Sequence, residues 1–162
     1  MGVAENTSYD ITKFERTAYA VEFDGVVLGG TDGAVSIKPE VTTEDVTCNQ
    51  AGGNALKRLI TGIKYTISAK FKQPETVLAK IFGLSGTIST GDLGTDLFSK
   101  AAELKLSAIG TSNMVYDFKA VVAKINSYDL DGEKIHAVEI EFETLPKGDL
   151  DGKILVVSTS AG

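Results

Sequence analysis

Ile63-Lys64-Tyr65-Thr66-Ile67-Ser68-Ala69-Lys70-Phe71-Lys72 decides the fold class. In an extended chain Ile63, Tyr65, Ile67, Ala69 and Phe71 point one way, and Lys64, Thr66, Ser68, Lys70 and Lys72 the other. That period of two is the mark of a strand with one packed face and one solvated face. Gln73-Pro74-Glu75 ends the strand, since proline cannot donate to a ladder.

Downstream, Val77, Leu78, Ile81 and Phe82 have helical spacing. Pro74 and Glu75 suit a helix start and Gly83 its end, so residues 75–82 are the one expected helix. Residues 83–96 are rich in Gly, Ser and Thr and read as loop. Residues 97–104 suit a short helical turn, after which Leu104, Leu106 and Ala108 alternate again.

Upstream, Tyr19, Val21 and Phe23 alternate with Ala20 and Glu22, and Asp24-Gly25 separates them from Val26-Val27-Leu28. Asp-Gly between apolar runs predicts a type I′ hairpin, because both central residues of that turn need positive φ. A two-residue turn sets Phe23 opposite Val26 and Val21 opposite Leu28. A further turn at Thr31-Asp32-Gly33 leads to Val35 and Ile37. Residues 39–47 are β-prone but polar, and Cys48 to Leu56 holds Gly52-Gly53, Asn49 and Asn54; residues 42–58 are expected to form a long loop, with a strand at the start of this stretch as the alternative.

The last third holds a second hairpin, with 114–130 and 133–145 flanking Asp131-Gly132. A two-residue turn there pairs Val121 with Phe142, Ala123 with Ile140 and Ile125 with Val138, all apolar and on one face, and sets Lys124 against Glu139 on the other. His136 then faces the same way as Val138. Asp151-Gly152 turns the chain into a short final strand over 154–157. About eight strands and one helix predict a mainly β protein, a β-sandwich or open barrel with one flanking α-helix.

The chain of 162 residues forms one domain, 1–162, with residues 1–16 as a polar N-terminal arm unlike a signal peptide. The net charge of −6 argues against a uniformly basic nucleic-acid surface. No apolar run approaches the ~20 residues that span a bilayer, so no membrane partner is expected. Cys48 is the only cysteine and His136 the only histidine, too few for the usual zinc sites. Neither has the motif context of a nucleophile or its base, and no phosphate-cradling glycine loop is present. Asp129-Leu130-Asp131-Gly132 and Asp149-Leu150-Asp151-Gly152 read as two turns, because a calcium loop would need a glutamate where Ile140 stands. No enzyme activity, cofactor or metal is expected. Glu139, Glu141 and Glu143 make an acidic stripe on the polar side of their strand. That stripe is either a solvated strand face or a surface turned toward something negative.

Several segments carry a family resemblance. Phe23-Asp24-Gly25-Val26 is followed by Thr31-Asp32-Gly33-Ala34-Val35 and Lys38-Pro39-Glu40-Val41. Then come the polar run Glu44-Asp45-Val46-Thr47-Cys48-Asn49-Gln50-Ala51-Gly52-Gly53 and the long strand after Gly62. Asp96-Leu97-Phe98-Ser99-Lys100-Ala101-Ala102-Glu103-Leu104-Lys105-Leu106 is a further match. Together these resemble the tail tube (major tail) proteins of bacteriophages.

The resemblance implies a tail-tube-like fold and a structural virion protein of the phage tail, assembled in the host cytoplasm. Its copies would form hexameric rings that stack into a hollow tube and meet other tail proteins. DNA would pass through the lumen without specific binding. Glu139, Glu141 and Glu143 become candidates for a lumen lining that repels phosphate. Lys64, Lys70 and Lys72 fit such a lining only at a ring junction, paired to acids, or on the outer wall. Residues 42–58 become a long assembly loop, with Glu44, Asp45, Asn49, Gln50, Asn54, Lys57 and Arg58 as candidate inter-subunit residues. Alternatives are a neck or tail-terminator ring of the same fold, and a monomeric ligand-binding β-barrel. The barrel would need an apolar cavity and an ordered 42–58 segment without a partner.

Overall fold

The computed structural model describes residues 18–31, 33–72, 74, 76–77, 80, 90–94, 96–109, 114–130 and 132–159. Eight strands follow in order: β1 (Tyr19–Phe23), β2 (Val26–Val27), β3 (Ser36–Thr47), β4 (Ala55–Phe71), β5 (Ala102–Ala108), β6 (Met114–Asp129), β7 (Ala137–Thr144) and β8 (Leu155–Thr159). They form one antiparallel sheet in the order β2-β1-β5-β6-β7-β4-β3, and β8 also pairs with β6. The protein is mainly β and the sheet is not closed.

The alternating segments behave as their pattern dictates. In β4, Ile67, Ala69 and Phe71 are buried and Thr66, Ser68 and Lys70 half-exposed. In β7 every second residue from Val138 to Thr144 is buried. The Asp24-Gly25 turn has φ of 51° and 79°, and pairs Phe23 with Val26, with the Leu28 N–H donating to Val21 O at 3.0 Å. Val21, Phe23 and Leu28 are buried there, while Val26 at the hairpin end is exposed.

The sheet curls around its apolar face. Phe23 of β1 and Phe142 of β7 have ring centroids 5.4 Å apart. Two strands lie between theirs, so in a flat sheet they would be roughly 14 Å apart. The curl almost meets itself: Thr31 bridges to Phe71, and the Lys72 N–H donates to Gly30 O at 2.9 Å. Inside sit Phe71, Phe118, Phe142, Leu28, Ile67, Leu104 and Ile140, all fully buried. Each such side chain contributes about 1.5–3 kcal/mol through burial.

Four expectations need correction or lie wholly or partly beyond the described residues. The hairpin ending the chain is in a different register: Val121 pairs with Thr144, Ala123 with Phe142, Ile125 with Ile140, and Lys124 with Glu141. A slip of two keeps every side chain on its own face, so the apolar pattern is equally satisfied by both registers. A longer connection between Asp129 and Ala137 sets the observed one, and a bulge between Ile125 and Ser127 shifts it again. His136 accordingly sits before β7 and is exposed.

The long loop expected over 42–58 is mostly strand. β3 runs to Thr47 and β4 starts at Ala55, leaving only a short turn with a 3-10 stretch at Asn49–Ala51. Its β-branched residues win over its polarity, because a two-stranded ribbon can be wet on both faces. The expected helix is described only at Pro74, Thr76, Val77 and Lys80, where the backbone is helical and Val77 enters the core. The rest of 75–82, and the arm 1–16, lie outside the described residues.

Candidate functional site

β3 and β4 pair with each other far beyond the body of the sheet. β4 pairs with β7 only over Thr66–Phe71, whereas its pairing with β3 continues to Ala55. About nine residue pairs therefore form a projecting arm, roughly 30 Å long at 3.3 Å per residue.

Two bulges interrupt its ladder, between Thr42 and Thr43 and between Val46 and Thr47. At the first, the Thr61 hydroxyl donates to Thr42 O at 3.2 Å. Because Thr61 is the extra residue, Ile60 comes to the same side as Ile63. Opposite Ile60 lies Thr43, and opposite Ile63 lies Val41. That side continues the core face outward from Tyr65 as an apolar stripe. On it Val41, Ile60 and Ile63 are exposed, Ile60 by 64%; Leu59, opposite Glu44, is exposed on the other side, and Leu56 is exposed at the second bulge. Farther out, Arg58 grips Asp45 with Nε to Oδ1 at 2.7 Å and Nη2 to Oδ2 at 3.4 Å.

The structure brings all seven candidate inter-subunit residues onto this arm. Glu44 and Asp45 are on β3, Asn49 and Gln50 are in the terminal turn, Asn54 precedes β4, and Lys57 and Arg58 are on β4. All seven are exposed. Cys48 is exposed in the same turn. The apolar stripe escaped sequence reading, although the Ile60 and Ile63 signal was present. A bulge reverses the alternation between them and cannot be located from pattern alone.

Glu139, Glu141 and Glu143 do lie together on the polar face of β7, half-exposed. They are not a bare acidic strip. Across β4, Lys70 is opposite Glu139, and across β6, Lys124 is opposite Glu141. Lys64 Nζ is 3.0 Å from Glu143 Oε1, and Lys70 pairs with Asp129. The hydrogen bond to Glu143, and then its charge, hold the Lys64 pKa above its ordinary value. Asn126 donates to Glu141 Oε2 at 3.0 Å. The lysines thus share the face of the glutamates and are paired to acids.

A second charged ladder, unnoticed in the sequence, lies on the polar side of β5 and β6. Lys119 Nζ is 2.8 Å from Asp117 Oδ2 and 3.5 Å from Glu103 Oε2. Its pKa is raised chiefly by the hydrogen bond to Asp117. Its signal was the polar half of the alternation around Phe118.

Two clefts open at the surface. One of about 990 Å³ is lined by Lys70, Lys72, Asp129, Glu133 and Lys134; one of about 440 Å³ is mixed, with Phe23, Leu97 and Ala102 beside Asp24, Lys80 and Lys100. A ligand-binding barrel would need an apolar cavity, and the described core is occupied by the buried rings of Phe71, Phe118 and Phe142. Among the described residues no group of three His, Cys, Asp or Glu could hold a metal ion, and no helix is long and apolar enough to cross a membrane. No protein-family model matches this chain, and no curated protein matches it.

Proposed function

We propose that this chain is a structural subunit of the tail-tube kind, which assembles with its own copies into hexameric rings that stack into a tube for phage DNA. The observation that carries this reading is the projecting arm with Val41, Ile60 and Ile63 exposed along one side. An isolated two-stranded ribbon is marginal in water. Covering its apolar side with a neighbour would yield about 25 cal/mol for each Å² removed from water. A subunit that lives in a ring has such a neighbour.

In this reading the curled sheet is the wall of a sandwich or open barrel. The helical backbone around Val77 belongs to its flanking helix. The role is non-catalytic: both Cys48 and His136 are exposed and lack the setting of a nucleophile. The balanced ladder of Glu139, Glu141 and Glu143 with Lys64, Lys70 and Lys124 fits a ring junction or outer wall better than a bare lumen. The net charge of −6 still favours passage of DNA without adhesion.

Negative-stain microscopy and sedimentation of the concentrated protein test this. Tubes are expected, whereas single rings that never elongate would favour the neck or terminator reading. A strictly monomeric species at high concentration would overturn self-assembly. Ile60→Glu with Ile63→Glu should abolish assembly while leaving the monomer folded, since both side chains are exposed in it.

A further inference from the structure

The arm has two free edges, and they differ chemically. β3 is the terminal strand of the sheet, and its outer edge is unpaired among the described residues. It carries Glu40, Glu44 and Asp45, and Pro39 removes one ladder donor. The edge of β4 away from β3 pairs with β7 only from Thr66 onward. From Ala55 to Lys64 it has no strand partner among the described residues. That segment holds Lys57, Arg58 and Lys64, with Leu56, Leu59, Ile60 and Ile63, and has neither an acid nor a proline. Natural sheets guard edges with charge and proline. β3 is guarded in that way, and β4 is guarded only by cations.

Most of these charges are matched within the chain: Arg58 with Asp45, Lys64 with Glu143, and Lys38 with Glu40. Glu44 and Lys57 are not; neither has an ion-pair partner among the described residues. Both lie on the same face of the ribbon, Glu44 opposite Leu59 and Val46 opposite Lys57.

We infer that the free edge of β4 takes up β3 of a second copy, antiparallel, with the second copy's Glu44 opposite Lys57. This rests on the self-assembly proposed above and names the contact that performs it. The register is two residues from the internal one, an even slip that keeps every side chain on its face. It sets the second copy's Val41 against Ile60, so the apolar stripe runs on from arm to arm, and its Thr42 against Leu59 on the opposite face. Each copy gives one edge and receives through another. The contact is therefore heterologous, and it propagates until a ring closes.

Two experiments test the pairing. In a Cys48→Ser background, Glu44→Cys and Lys57→Cys are introduced in one chain and the concentrated protein is mildly oxidised. Directly opposite residues lie about 4.5–5.5 Å apart at Cα, within disulfide reach, so a ladder of covalent multimers is expected on a non-reducing denaturing gel. Separately, Lys57→Glu and Glu44→Lys should each raise the half-assembly concentration roughly threefold or more. An equimolar mixture of the two variants should restore it, because alternating copies again oppose unlike charges. Far-UV circular dichroism checks that both remain folded. Tubes that give no ladder, or single variants that assemble as the unmodified protein does, would overturn the edge pairing and leave self-assembly standing. An unmodified protein that never assembles would overturn both.

Discussion

The Tyr65 backbone N–H donates to the hydroxyl of Thr144 at 3.0 Å, at the point where β7 stops pairing with β4. Thr144 is only 5% exposed and is the one buried polar residue among those described. Its hydroxyl replaces the next rung of the ladder and roots the arm in the body. Removing it would leave a partly buried donor unsatisfied. Thr144→Val should therefore cost about 1–2 kcal/mol in urea unfolding, and Thr144→Ser much less. Amide exchange at Tyr65 should accelerate in the valine variant; unchanged exchange would show that the hydroxyl does not hold the root.

Phe142 packs across the curl against Phe23, from β7 to β1. Phe142→Ala removes a fully buried ring whose neighbours come from several strands, so the site can collapse only partly. The expected loss is about 3–5 kcal/mol, measured by chemical denaturation. Ile60→Ala, at an exposed position of the arm, should change monomer stability by less than about 0.5 kcal/mol.

The turn between β7 and β8 separates two glycines that look alike in sequence. Both have positive φ, 70° at Gly148 and 76° at Gly152. A Cβ on Gly148 would lie 2.4 Å from the Lys153 carbonyl oxygen, whereas one on Gly152 would meet nothing within 4 Å. Gly152→Ala should cost about 1 kcal/mol, the strain of a left-handed alanine. Gly148→Ala must also move backbone, and should cost clearly more and loosen β8. Equal melting temperatures for the two variants would contradict this.

Asp149 organises the same turn. Its Oδ1 accepts the N–H groups of Lys153 and Asp151, each at 2.9 Å. The bond from Lys153 comes first in holding its pKa below the ordinary 3.8. A carboxyl depressed in the folded state binds its proton more readily when unfolded. Its contribution is thus full above 3.8 and is lost as pH falls through the lower folded value. Asp149→Asn should flatten the acid limb of the stability profile, with thermal melts between pH 2 and 5 as the measurement.

The parts of this fold legible in the sequence were those where pattern and turn chemistry constrain each other. Asp24-Gly25 fixed both the turn and the Phe23–Val26 pair, because the loop has no spare residue. At Asp131-Gly132 the same logic chose the wrong register, since a slip by two costs the apolar face nothing. The inter-subunit candidates from Glu44 to Arg58 were found on one arm because they adjoin in sequence. The apolar stripe beside them was hidden by a bulge at Thr61, which resets the count. The acidic stripe was read correctly as a line of side chains and incompletely as a field. The lysines that temper it come from β4 and β6, and strand order is not written in any one segment.

The bond from Tyr65 to Thr144 also joins residues 79 positions apart. Such distant pairings form slowly, because the intervening loop must close before they reward the chain. During synthesis β4 leaves the ribosome well before β7. Until β7 arrives, Ile67, Ala69 and Phe71 are as uncovered as Ile60 and Ile63. In that interval the nascent chain presents one bare edge along the whole of β4, and a second nascent chain could claim any part of it. Completion of β7 covers the inner half, Thr66–Phe71, and leaves only the outer half available. Late docking of residues 137–144 therefore narrows an edge open to any pairing to one defined joint.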